Sequence, residues 1–226
     1  MKSTVFGLLV LLSAVTGCRS MPEPLKLQAV SVARVVELAR PKGLVPVQSG
    51  DSTIRVDLRY ATPDNVFKQV LYPSGFPALT AAATAKKLVA ANRFLKAHGL
   101  GLKVLDAYRP PEVQWQLFQK YQDDRYVADP RKKWSKHCYG RAVDATLVDL
   151  AGREQEMPSS FDDFSKKAAA AYTGPDAAVR HRLALLQRAM TTAGLSLYQD
   201  EWWHFNDLSD PAALSGQPVF GKEIGL

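Results

Sequence analysis

Two short stretches carry residues whose types and spacing suit metal-assisted hydrolysis: Ser135-Lys136-His137-Cys138-Tyr139-Gly140-Arg141-Ala142-Val143-Asp144, and Asp200-Glu201-Trp202-Trp203-His204-Phe205. On an extended chain His137 and Asp144 stand about 23 Å apart, at ~3.3 Å per residue, so they share an ion only if the chain folds back between them. Gly140 is placed for that turn. Asp144 lies inside the apolar run Ala142, Val143, Ala145, Leu147, where an unpaired charge is costly. It is either a ligand or a core Asp satisfied by an Arg or by backbone N–H groups. Glu201 and His204 sit among three aromatics. They form either a structural cluster with a rim Glu or a dry site in which burial raises the carboxyl toward the range of a general base. Two His and one Asp leave a fourth zinc position open for water, as in catalytic sites, and Glu201 is then the base beside it. No HExxH helix is present, which excludes a thermolysin-like arrangement.

Other candidates read as structural. His98 precedes Gly99 at the end of an Ala-rich helix, where an imidazole suits the helix dipole. His181 lies between Arg180 and Arg182, as on a surface. Cys138 adjoins a candidate ligand and cannot easily reach the same ion, so it reads as a small filler. The basic run Arg131-Lys132-Lys133 just ahead of Ser135 is either a solvated loop or a means of drawing an anion toward the site.

The elements that must position these residues alternate along the chain. Helix-like spacing covers 29–40 and stops at Pro41. Ile54, Val56, Leu58 and Tyr60 alternate with polar residues, which predicts a half-buried strand. Thr80 opens an Ala-rich helix closed by Gly99, and a second helix over 112–121 begins just after Pro111. Strands are expected over 102–105 and 142–148, a third helix over 175–193, and a last pair or hairpin over 195–198 and 202–205. Together these give an α+β fold: a single domain with a central antiparallel or mixed sheet flanked by helices.

Composition agrees with that scale. The 226 residues are 46% apolar and 23% charged with a net charge of +7, an ordinary globular mixture that excludes collagen-like, coiled-coil and disordered chains. The modest positive excess does not point to nucleic acid. Lys2 precedes a short apolar run over 5–15, which fits a secretory signal and is too short to span a bilayer. Val15-Thr16-Gly17-Cys18 resembles a bacterial lipobox, which implies removal of residues 1–17 and acylation of Cys18. Residues 18–28 then read as a tether and 29–226 as the catalytic domain. Acylation at Cys18 leaves Cys138 alone, so no intrachain disulfide is available. The implied location is exported and membrane-anchored, and Arg19 favours the outer membrane of a Gram-negative cell.

Ser-x-His-x-x-Gly-x-Ala-x-Asp from Ser135 to Asp144, followed by Glu201-Trp202-Trp203-His204, resembles the zinc peptidases that cleave D-Ala-D-Ala. The double tryptophan is similar to that of the vancomycin-resistance type of D-alanyl-D-alanine dipeptidase. So are Val56-Asp57-Leu58-Arg59-Tyr60-Ala61-Thr62, Asp106-Ala107-Tyr108-Arg109-Pro110 and Phe161-Asp162, in collinear order. The resemblance implies a D-Ala-D-Ala metallopeptidase (hedgehog-like) fold with the zinc on the sheet. It implies one Zn2+ held by His137, Asp144 and His204, Glu201 as the catalytic base and Arg109 as the transition-state arginine. It further implies Asp162 and Tyr60 at the substrate amine and Ser135 at its carboxylate. Lys136, where Ser is common, departs from the pattern, as do Ala145 and Val66-Phe67. The expected reaction is hydrolysis of the free D,D-dipeptide. A D,D-carboxypeptidase lacking the amine-capturing acid and a non-catalytic wall-binding module are the alternatives.

Overall fold

The computed structural model describes residues 21–226. The expectations for residues 1–17 and for Cys18 lie outside the described residues. Residues 21–28 have no regular structure, and Leu25 packs against the core beside Gly221. Among the described residues no helix is long and apolar enough to cross a membrane.

Helix α1 (Val32–Ala39) starts later than its periodicity suggests because the Ser31 hydroxyl caps the Arg34 N–H. Strand β1 (Leu44–Pro46) is next, a segment whose three residues are too few for a periodic signal. The strand expected over 54–60 shrinks to β2 (Arg55–Val56). Beyond it a 3-10 turn over Arg59–Ala61 carries Tyr60 into the core, so the alternation there belongs to a bent segment and leaves Val56 exposed. Thr80 does not open the Ala-rich helix. It lies in β3 (Leu79–Ala81), paired antiparallel with β1, and donates its hydroxyl hydrogen to Gly140 O at 2.8 Å. Helix α2 (Ala82–Lys96) follows at once and is closed by Gly99 at φ +73°.

Strand β4 (Leu100–Asp106), helix α3 (Pro111–Lys120), strand β5 (Ala142–Asp149) and helix α4 (Ala177–Thr192) complete the middle of the chain. The chain ends with β6 (Ser196–Tyr198), β7 (Glu201–Asn206) and two 3-10 turns. The main sheet has the order β2-β4-β5-β7-β6, with β2 parallel to β4 and every other pair antiparallel, so it is mixed. The α+β expectation holds.

Strand alternation then divides the labour. Val143 and Phe205 pair across β5 and β7 on one face, with Ala145 and Leu147 continuing that face into the main hydrophobic core. Asp144 and His204 pair on the other face. Helices α2 and α4 pack on each other and on the strands, and neither lends a residue to the cavity over the Asp144 face. The sheet thus has a dry side under helices and a side open to a cleft.

Candidate active site

Three ligand-type side chains meet on the open face. Asp144 and His204 are register partners, and His137 arrives from the 3-10 turn over Lys136–Tyr139. Gly140, at φ +63°, ends that turn and folds the chain back into β5, the reversal that the seven-residue spacing requires. His137 Nε2, His204 Nδ1 and Asp144 Oδ1 form a triangle with edges of 3.0, 3.2 and 3.3 Å. Ligand atoms ~2.0–2.1 Å from a tetrahedral zinc are about 3.3 Å apart, so the triangle has the size of one tetrahedral face.

The protons point to the same conclusion. His137 Nδ1 lies 2.7 Å from Ala107 O, which can only accept, so that nitrogen carries the hydrogen and Nε2 presents a lone pair. His204 Nε2 donates to Asn206 Oδ1 at 3.0 Å, which leaves Nδ1 bare as well. Two lone pairs and a carboxylate oxygen converge with no hydrogen between them. That arrangement repels itself without a cation and fits a divalent metal, with Ala107 and Asn206 fixing the two rings from behind. Burial works against the Asp144 charge, and the two imidazoles lower its carboxyl only when their facing nitrogens carry protons in place of a metal.

Glu201 opens β7, and its Oε2 lies 3.7 Å from His204 Nδ1. Residues three apart on a regular strand face opposite sides. Here the β6–β7 register breaks at Leu197/Tyr198, where Tyr198 pairs with Glu201, and the irregularity brings Glu201 to the ligand side. Burial, then the charges of Asp144 and Asp162, push its carboxyl well above the ordinary value.

Arg109 follows β4 and is almost fully buried. Its Nε and Nη2 grip Asp106 Oδ2 at 2.9 and 2.8 Å, Nη1 donates to Gln114 Oε1 at 2.9 Å, and Nη2 stands 3.7 Å from Asp144 Oδ2. Asp106 is the register partner of Asp144, so the guanidinium lies between two opposed acids. Tyr72 fixes the other oxygen of Asp106 at 2.6 Å.

Asp162 sits on the loop before α4 with a left-handed backbone, φ +59°, uncommon for a residue with a side chain. Its carboxylate accepts from Tyr60 Oη at 3.0 Å, and burial with the nearby Asp144 charge pushes its pKa up to about 8. The two tryptophans secure that loop: Trp202 Nε1 donates to Ser159 Oγ at 3.0 Å, and Phe161 packs edge-on to Trp203. Ser135 caps the His137 turn, its Oγ accepting the His137 N–H at 3.3 Å.

All eight described candidates, Tyr60, Arg109, Ser135, His137, Asp144, Asp162, Glu201 and His204, line one cavity of about 310 Å³. Residue patterns missed Ala107, Gln114, Tyr72 and Asn206, which hold the others in place. Asn206 had a signal: it is two residues beyond His204 on a strand, hence on the same side. His98 lies just past the end of α2, away from the cavity, and its Nδ1 contacts Phe94 O of that helix at 2.9 Å. Cys138 is fully buried, and burial pushes its thiol far up, which suits a filler.

The family described as D-ala-D-ala dipeptidase (Peptidase_M15) matches residues 40–219. A D-alanyl-D-alanine dipeptidase of Escherichia coli (strain K12) is 35% identical over 158 residues, covering 67% of this chain and 78% of that protein. A second, from Enterococcus faecalis (strain ATCC 700802 / V583), is 26% identical over 179 residues, covering 70% of this chain and 88% of that one. With a cleft that gathers a triad able to hold a metal and a buried acid on its sheet, the chain belongs to the D-Ala-D-Ala dipeptidase family of metallopeptidases.

Proposed function

We propose that the protein is a zinc-dependent hydrolase of the free D-Ala-D-Ala dipeptide. The observation that carries this reading is the presence, in one cavity, of the lone-pair triad and a buried acid at Asp162 that makes no ion pair among the described residues. His137, Asp144 and His204 hold the metal, which when bound supplies a Lewis acid that acidifies water and polarises a carbonyl. Glu201 takes the proton from the attacking water and returns it to the leaving amine, a role its raised pKa suits. Arg109, aimed by Asp106 and Gln114, offsets the negative charge that grows on the carbonyl oxygen. Asp162 and Tyr60 hold the substrate ammonium, and Ser135 faces its carboxylate.

The choice of a dipeptide follows from Asp162. Acylating the amine removes its positive charge and leaves a buried acid with nothing to pair. Longer stem peptides are therefore rejected. Exported and anchored through Cys18, the enzyme meets dipeptide released outside the cytoplasm, which favours salvage.

The test compares release of D-alanine from D-Ala-D-Ala and from its N-acetyl form, for the wild type and Asp162→Ala, all loaded with zinc. Cleavage of the free dipeptide alone, lost in the variant, is the expected result. Cleavage of the acetylated peptide would make the protein a carboxypeptidase, and cleavage of neither would favour a wall-binding module.

A further inference from the structure

Two cations that line the active-site cavity have no pairing partner among the described residues. The acids that line it face elsewhere: Asp144 lies in the triad, Asp162 accepts from Tyr60, Glu201 stands beside His204, and Asp124 pairs with Lys132 Nζ at 2.7 Å. Arg109 is held by Asp106, and Arg125 by Asp123. Lys133 and Lys136 remain. Both line the cavity, and among the described residues neither ammonium has a hydrogen-bond or ion-pair partner. Lys136 is half-buried in the turn between Ser135 and His137, and Lys133 is close enough to repel it.

Folding gains nothing from such a pair. A partly dehydrated ammonium beside a second one is unfavourable until an anion arrives. Ser135 adds a donor at the same place, since its oxygen accepts the His137 N–H and its own hydrogen stays free. In a dipeptide the carboxylate carbon is three bonds from the scissile carbonyl carbon. Lys136 and the triad line the same cavity.

We propose that Lys133 and Lys136 are specificity-determining residues that bind the C-terminal carboxylate of the dipeptide as an ionic subsite. The proposal rests on the dipeptidase reading. It makes the loop over 131–136 part of substrate selection, with Lys136 as the inner contact and Lys133 as the outer one. Substrates with a neutral C-terminus are discriminated against by charge as well as by hydrogen bonding.

The experiment is calorimetric binding to the zinc-loaded full-length Glu201→Gln protein, titrated with D-Ala-D-Ala and with its C-terminal amide. Turnover of D-Ala-D-Ala by the wild type is measured alongside. The acid is expected to bind about 10- to 100-fold more tightly than the amide, the usual range for a charged hydrogen bond. Adding Lys136→Met should collapse that ratio to about 1–3, with Lys136→Arg restoring most of it and Lys133→Met giving a smaller loss. The acid's advantage should also shrink as NaCl is raised. An acid-to-amide ratio unchanged by Lys136→Met, with wild-type turnover intact, overturns the lysine assignment alone. Absence of both turnover and binding overturns the dipeptidase reading and the subsite with it.

Discussion

Asp144 stands directly opposite His204 across the β5–β7 pair, with Asp144 Oδ1 3.0 Å from His204 Nδ1. The contact is set by the sheet ladder rather than by a loop. A slip of one residue in register would send either side chain to the helix-covered face, where Val143 and Phe205 now pair. Stability of the sheet and geometry of the candidate metal site are therefore tied to one register. The neighbouring strand repeats the device, because Asp106 is the register partner of Asp144 and takes Arg109 as its own counter-charge.

Asn206 follows from this geometry as a positioning residue for the metal. Its Oδ1 fixes the His204 hydrogen on Nε2, so Nδ1 is left to bind. Asn206→Ala should weaken zinc affinity by roughly 10- to 100-fold, as expected for loss of a partner behind a ligating imidazole. Competition with a chromophoric chelator reads this directly. An unchanged affinity would mean that the ring is held by other contacts.

Glu201→Gln removes the base and leaves the shape. Zinc content should stay near one per chain while kcat falls by about 10²–10⁴-fold, the usual contribution of a positioned acid–base group. Retained turnover with metal bound would remove Glu201 from the chemistry.

The candidate ligands stood out in the sequence because chemistry restricts residue type. Few side chains bind zinc, and only four histidines had to be weighed. The sheet was readable where strands are buried on both faces, as in the apolar run of β5. The supports were not. Ala107 acts through a carbonyl that every residue owns, and Gln114 matters only because α3 places it 2.9 Å from Arg109. The strand expected over 54–60 failed for a related reason: a period of two also describes a chain that bends to deliver Ile54, Leu58 and Tyr60 to one core.

Asp162 predicts a pH dependence with a definite sign. Its folded pKa, pushed up to about 8, lies above the ordinary value of 3.8. Between those two values the folded state keeps a proton that the unfolded chain has lost, so stability declines as pH rises through that window. Asp162→Asn lacks this decline. At roughly 1.4 kcal/mol per unit, the metal-free variant should gain a few kcal/mol on the wild type between pH 5 and pH 8.5. Thermal unfolding of both proteins across that range checks it; parallel curves would contradict it. The variant should bind the dipeptide poorly at every pH, so stability and affinity move in opposite directions.

Gly140 joins the fold to the site most tightly. Its φ of +63° is one that side chains rarely adopt, and a Cβ there would meet Leu44 Cδ2 at 2.6 Å and Ala81 N at 2.8 Å. The second contact is with backbone that is itself engaged, since Ala81 N donates to Gly140 O at 2.9 Å. Gly140→Ala therefore cannot relax by turning a side chain. It must move either the β1–β3 ribbon or the turn that carries His137. Strain at such a position costs about 1–3 kcal/mol. Moving the turn would displace His137 Nε2 from its 3.2 Å separation from His204 Nδ1. The expected result is a folded protein with a lowered melting temperature and a zinc affinity reduced at least tenfold, measured by calorimetry and chelator competition. Lowered stability with full zinc affinity would show that the ribbon yields and that the metal site is insulated from it.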